Sequence, residues 1–167
     1  MNENARLLHD RLIRNFNTVP LERFLRPPAY DTQAARLAPG TAAQKLGAAI
    51  DILAPGKVSC PYHFHHAQEE MFVILEGAGS LRVAGEMLPV AAGDVLFIPA
   101  GPAYPHQIIN TSQAPLKYLS ISTRETPEIC EYPDSGKYNA MASDGKGPVF
   151  AAIQRPGATL AYWDGEP

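Results

Sequence analysis

The sequence predicts an all-β barrel, and three observations carry that expectation. Sixteen prolines and thirteen glycines are spread over 167 residues and cut the chain into many short pieces. From Leu46 to Thr123, eight short apolar-rich segments follow one another at near-regular spacing, each closed by turn residues. Early in that run stands Pro61-Tyr62-His63-Phe64-His65-His66, leading through Ala67-Gln68-Glu69-Glu70 into the apolar stretch Met71-Phe72-Val73-Ile74-Leu75. Short strands with Gly- and Pro-rich breaks fit a closed or sandwiched barrel and do not fit a helical bundle.

Along residues 4–15 the spacing Leu8, Leu12, Phe16, with polar residues between, predicts a short amphipathic helix. Pro20 and Pro27-Pro28 end any helix, so residues 17–44 read as an irregular arm, and 1–45 form an N-terminal helix and arm. The expected strands are 46–53, 57–65, 70–76, 80–84, 86–90, 94–98, 105–110 and 115–123, which makes 46–123 the barrel. Pro55-Gly56, Gly77-Ala78-Gly79, Ala84-Gly85, Ala92-Gly93-Asp94 and Pro99-Ala100-Gly101-Pro102 separate them. Gly77 and Gly93 stand at strand ends, where a positive φ is easiest without a Cβ. Val95-Leu96-Phe97-Ile98 is apolar on both parities, so its second face needs the arm, the tail or another subunit; a homodimer is expected. Residues 124–167 are rich in Pro, Gly, Asp and Ser and read as an irregular tail. Tyr132, Tyr138, Tyr162 and Trp163 are costly to leave in water, which predicts a tail packed on the barrel or a partner.

A net charge of −3 gives no basic footprint for nucleic acid, and no segment has the apolar length of a membrane span. The N-terminus lacks the apolar core of a signal peptide, so a cytoplasmic location is expected. Cys60 and Cys130 are too few for a disulfide framework and read as small buried hydrophobes. In a regular strand Cys60 faces away from His63.

His63 and His65 share one face of an extended chain, and four of the five histidines fall at 63–66 and 106. Neighbouring imidazoles followed by a carboxylate suit a divalent transition metal. Glu70, Phe72 and Ile74 share parity and point together into the barrel. Glu69 competes with Glu70 as the carboxylate. His66, on the opposite parity, reads as a surface or pocket-rim group.

These residues also carry a family pattern. Gly56, His63-Phe64-His65, Glu70 and Gly77 resemble the first motif of the cupin superfamily; Gly93-Asp94, Pro99, Gly101, His106 and Asn110 resemble the second. Two spacers, Gly56 to His63 and Gly101 to His106, are longer than usual, and both extensions fall in turns. The resemblance implies a double-stranded β-helix, or jelly-roll barrel, with a metal held by His63, His65, Glu70 and His106. Iron, manganese, nickel, cobalt and zinc all suit such ligands. Asn110 is expected to bond nearby backbone. Glu131 to Lys137 and Tyr162 to Glu166 look like the tail of small bacterial cupins described as sugar or sugar-phosphate isomerases.

That resemblance implies a metal-dependent enzyme of isomerase type on a small polar, sugar-like molecule. A non-haem iron dioxygenase and a small-ligand binding module are the alternatives. His66, Glu69, Phe72, Ile74, Tyr104 and Ile108 are the expected pocket residues, with His66, Glu69 and Tyr104 as candidate bases. Arg82 and Lys137 read as surface charges. The expected partner is a small molecule, with neither nucleic acid nor membrane.

Overall fold

The computed structural model describes residues 1–157 and 159–167. One helix, α1 (Glu3–Leu12), precedes the strands β1 (Glu22–Arg26), β2 (Tyr30–Arg36), β3 (Leu46–Leu53), β4 (Phe64–His65), β5 (Glu70–Glu76), β6 (Ala78–Val83) and β7 (Glu86–Ala91). There follow β8 (Val95–Ile98), β9 (His106–Ile109), β10 (Leu116–Thr123), β11 (Glu128–Tyr132), β12 (Lys137–Ser143) and β13 (Pro148–Gln154). One wall has the order β1-β2-β3-β10-β5-β8; opposite it stand β7-β6-β9 and β13-β12-β11-β4. Crossovers between two antiparallel walls make this a double-stranded β-helix. No helix among the described residues is long and apolar enough to cross a membrane.

Strand register decides what faces inward. On β10, Tyr118, Ser120 and Ser122 stand opposite Ile74, Phe72 and Glu70 of β5. Beyond β5, Phe72 and Glu70 pair with Leu96 and Ile98 of β8. Cross-strand partners share a face, so Glu70 lies at one end of an inner row that is otherwise apolar. Below it Leu53, Phe72, Ile74, Leu81, Val90, Leu96, Ile98, Ile108, Leu116 and Tyr118 form the core. Each fully buried Leu or Ile there contributes about 1.5–3 kcal/mol. The β5–β6 corner needs glycine: Gly77 has φ +85°, and a Cβ there would lie 2.5 Å from the Pro115 carbonyl oxygen. Gly93 likewise has φ +99°.

Three segments depart from expectation. The arm is a β-hairpin rather than irregular chain, and β2 extends the wall by pairing with β3 from Thr32–Leu53 to Arg36–Ala49. Asp31, Ala34 and Ala35 are poor strand formers alone, so pairing with β3, not propensity, sets this conformation. The strand expected at 57–65 shrinks to two residues. Before it, only single bridges, Val58–Ile109 and His63–His106, hold the chain against β9. Pro61 has no N–H to give a ladder, and the Gln107 side-chain amide instead donates to the Cys60 carbonyl at 2.6 Å.

The chain after Thr123 is more regular than its composition suggests: β11, β12 and β13 form an antiparallel sheet anchored on β4. Tyr132 and Tyr138 are half-buried in it, whereas Tyr162 and Trp163 are 86% and 72% exposed and pack chiefly on each other. Among the described residues, neither arm nor tail covers the outer face of β8, where Phe97 is 73% exposed.

Asp51 is the anomaly of the inner face. It sits opposite Tyr118, accepts a hydrogen bond from Ser120 Oγ at 3.0 Å, and is pushed up to about 6 by burial, which outweighs that bond. A raised acid stabilises the fold below its unfolded value, and this contribution is lost as pH rises through the folded value. Asp51→Asn should therefore gain stability over the parent as pH climbs from about 4 to about 7. The gain should reach a few kcal/mol, at about 1.36 kcal/mol per unit. Urea melts across that range check it; a constant difference would contradict it.

Candidate metal centre

Strand β5 delivers Glu70 to the inner face, β4 and the residue before it deliver His65 and His63, and β9 delivers His106. The backbones of His63 and His106 exchange two hydrogen bonds, at 3.1 and 2.7 Å, which sets these imidazoles side by side. All three rings turn Nε2 toward one carboxylate oxygen. Glu70 Oε2 lies 2.8 Å from His106 Nε2, 3.5 Å from His65 Nε2 and 3.6 Å from His63 Nε2.

The opposite nitrogen of each ring is already committed. His63 Nδ1 lies 2.9 Å from the Pro61 carbonyl, His65 Nδ1 3.1 Å from Glu128 Oε1, and His106 Nδ1 3.3 Å from the Tyr104 carbonyl. Those oxygens only accept, so each Nδ1 must carry the proton and donate it. A neutral ring tied in this way presents an Nε2 lone pair to the centre. Glu70 Oε2 and His106 Nε2, although close, do not meet hydrogen-bond geometry and are buried polar atoms without a partner. Lone pairs facing a carboxylate oxygen repel; a cation among them satisfies all of them at once. The donor set fits a divalent transition metal.

The electrostatics point the same way. Burial works against ionising Glu70, but the imidazoles of His106, His63 and His65 around it hold it well below the usual carboxylate range. Burial also works against charge on His63, yet Cys60 and Glu70 outweigh it and push that imidazole up to about 11. His65 moves down, chiefly through burial. A buried carboxylate thus requires a positive partner, which either a proton on His63 or a metal ion supplies.

Glu128 is the residue that sequence reasoning missed. It is 4% exposed and accepts four hydrogen bonds at 3.1 Å: His65 Nδ1–H and His66 N–H on Oε1, Ala67 N–H and Gln68 N–H on Oε2. It therefore orients His65 and pins the loop between β4 and β5. The signal was the alternation Glu128, Cys130, Tyr132 behind Pro127, a strand start by composition.

A cavity of about 200 Å³ is lined by His63 and His65 with Cys60, Pro61, Gln68, Glu128, Cys130, Tyr132, Asn139 and Met141. Half of that lining is tail. None of the expected pocket residues His66, Glu69, Phe72, Ile74, Tyr104 and Ile108 lines it. Phe72, Ile74 and Ile108 lie deeper, in the core, and Tyr104 is 47% exposed. His66 turns outward to Glu131 at 2.7 Å, and Glu69 lines a separate cleft with Met71 and Phe97. Cys60 departs from its expected direction: its sulfur lies 3.7 Å from His63 Nδ1, because the irregular chain before β4 breaks strand parity. Asn110, fully buried, donates to the carbonyls of Leu53 and Ala114 at 2.9 and 2.8 Å.

Residues 49–122 match the family model described as the cupin domain. A solved structure from Acidithiobacillus ferrooxidans, provisionally named a sugar phosphate isomerase, superposes with TM-score 0.76 at 23% identity, covering 92% of this chain and 98% of its own. A sugar phosphate isomerase from a cupin superfamily, of Silicibacter pomeroyi, gives 0.72 at 24% identity, over 89% and 96% of the two chains. At such identities these likenesses establish the fold. The oxalate-binding protein of Thermotoga maritima is 36% identical over 69 residues, 41% of this chain and 54% of that protein. The chain spans 54–64% of the length of the curated relatives it matches.

Glu128→Gln replaces one accepting oxygen by an NH2 facing N–H donors. It should lower the melting temperature and release His65 from its single tautomer. Nitrogen-15 shifts of the His65 ring report the second effect: Nδ1 protonated in the parent, both tautomers populated in the variant. An unchanged ring spectrum would contradict the orienting role.

Proposed function

Residues 49–122 form a cupin domain, and we propose that the chain is a metal-dependent enzyme of isomerase type acting on a small polar, sugar-like molecule. One observation carries this most: three imidazoles, each with Nδ1 committed elsewhere, converge through Nε2 on a buried carboxylate beside a cavity. His63, His65, Glu70 and His106 would hold the metal. A bound divalent cation polarises a carbonyl or hydroxyl oxygen of a chelating substrate.

The cavity walls shape what can enter. Gln68 and Asn139 line it with side-chain amides, which can bond hydroxyl groups, and Met141 and Tyr132 add apolar surface. Burial holds the Tyr132 phenol above its ordinary range, so at neutral pH it keeps a proton to donate. No Lys or Arg is among the described lining residues, so an anionic group inside would have to be met by the metal. Arg82 is engaged by Asp134 through two bonds, at 2.6 and 2.9 Å, and stacks on Tyr62, which removes it as a phosphate partner. The names of the two solved relatives support a sugar-like substrate. A volume of about 200 Å³ suits only a small molecule. That size also favours a second reading, capture of a small chelating dicarboxylate without turnover, in keeping with the oxalate-binding relative.

The bare outer face of β8, with Val95 and Phe97, and neighbouring Leu46 argue for a homodimer that buries them. Light scattering at micromolar concentration should give twice the chain mass.

Manganese-, iron-, cobalt-, nickel- and zinc-loaded protein, screened anaerobically against aldose–ketose pairs, tests the catalytic reading. Interconversion is expected with at least one metal. Glu70→Gln should lower metal affinity by about 10–100-fold or more, with Glu69→Gln near the parent. Oxygen uptake by the iron form would point instead to a dioxygenase. Oxalate binding without turnover of any pair would leave the binding module.

A further inference from the structure

Two donor sets overlap at this centre. His63, Glu70 and His106 bring one ligating atom each to within 4.8 Å of one another, and so do His63, His65 and Cys130. The sets share His63 and differ in character: the first includes a carboxylate, the second a thiol. Cys130 owes its place to the tail, since β11 pairs it directly opposite His65, and cross-strand partners share a face. Its side chain is 6% exposed and lines the cavity. Cys60 is placed differently. It lies beside Nδ1 of His63, the nitrogen already donating to Pro61, and belongs to neither set.

We propose that Cys130 is a metal ligand, holding a borderline or soft divalent ion together with His63 and His65 on the cavity side of the centre. This rests on the metal-dependent reading above. When the ion binds, the Sγ–H bond breaks, its proton leaves to solvent and an Sγ–metal bond forms, so neither oxidant nor reductant is required. Hard ions favour the carboxylate set and thiophilic ions the thiolate set. The chain therefore selects its metal partly through a residue outside the cupin motifs, and a thiolate-bound ion sits against the cavity wall, where a substrate atom can reach it.

Cobalt-loaded protein provides the test. The parent should show an ultraviolet thiolate-to-cobalt charge-transfer band, retained in Cys60→Ser and lost in Cys130→Ser. Cys130→Ser should also weaken cadmium binding by about tenfold or more while leaving manganese binding unchanged. Cobalt bound by the parent without the band would overturn the role of Cys130 and leave the metal centre intact; this measurement does not depend on any variant folding. A band that disappears in Cys60→Ser and persists in Cys130→Ser would likewise overturn it. A parent that binds no cobalt, cadmium or manganese would overturn this inference and the metal-dependent reading together.

Discussion

A carboxylate held inside an apolar barrel governs the architecture around it. Glu70 occupies one end of the inner row on β5, directly above Phe72 and Ile74, where an unpaired charge would cost several kcal/mol. The three imidazoles around it are the answer to that cost, and their positions follow from how the strands pair. The bridge between His63 and His106 sets two of them, and β4 sets the third. Each ring's distal nitrogen is tied to a carbonyl or carboxylate, so a neutral ring turns a lone pair, not a proton, inward. Such an arrangement is stable as a cation-binding shell and awkward as anything else.

The tail belongs to this logic. Its first strand pairs with β4, carries Glu128 under the His65 ring and the following loop, and lines the cavity with Cys130 and Tyr132. The second strand adds Asn139 and Met141. Arg82 on the barrel grips Asp134 in the β11–β12 turn while stacking on Tyr62, which fixes the tail sheet over the opening. Barrel and tail are thus halves of one site: the barrel supplies the carboxylate and the imidazoles, the tail supplies orientation and the walls.

What the sequence made legible follows from where the chain is regular. Parity placed Glu70, Phe72 and Ile74 on one face because β5 is an unbroken strand in a two-sided sheet. Parity failed at Cys60 because residues 57–63 pair with β9 through isolated bridges rather than a continuous ladder, and a chain without a ladder has no fixed alternation. The hairpin of the arm and the tail strands were hidden because Ala, Asn and Ser gain their extended conformation from a neighbour already in place. Glu128 was missed for another reason. The alternation behind Pro127 marks a strand, but its partner His65 is 63 residues away, and the contact is made only by the tertiary fold. Of the pocket residues expected near the motif, Phe72, Ile74 and Ile108 lie in the core, while His66, Glu69 and Tyr104 stand away from the cavity.

The central claim is a metal ion at the focus of His63, His65, Glu70 and His106. A crystal of manganese- or zinc-loaded protein, with anomalous scattering recorded on both sides of the metal's absorption edge, measures this directly. The account requires one strong peak inside the barrel, about 2.0–2.2 Å from His63, His106 and Glu70 donor atoms, with His65 completing the cage. A metal peak confined to the protein surface, or a filled barrel in which water bridges Glu70 to the imidazoles with no anomalous signal, would contradict it.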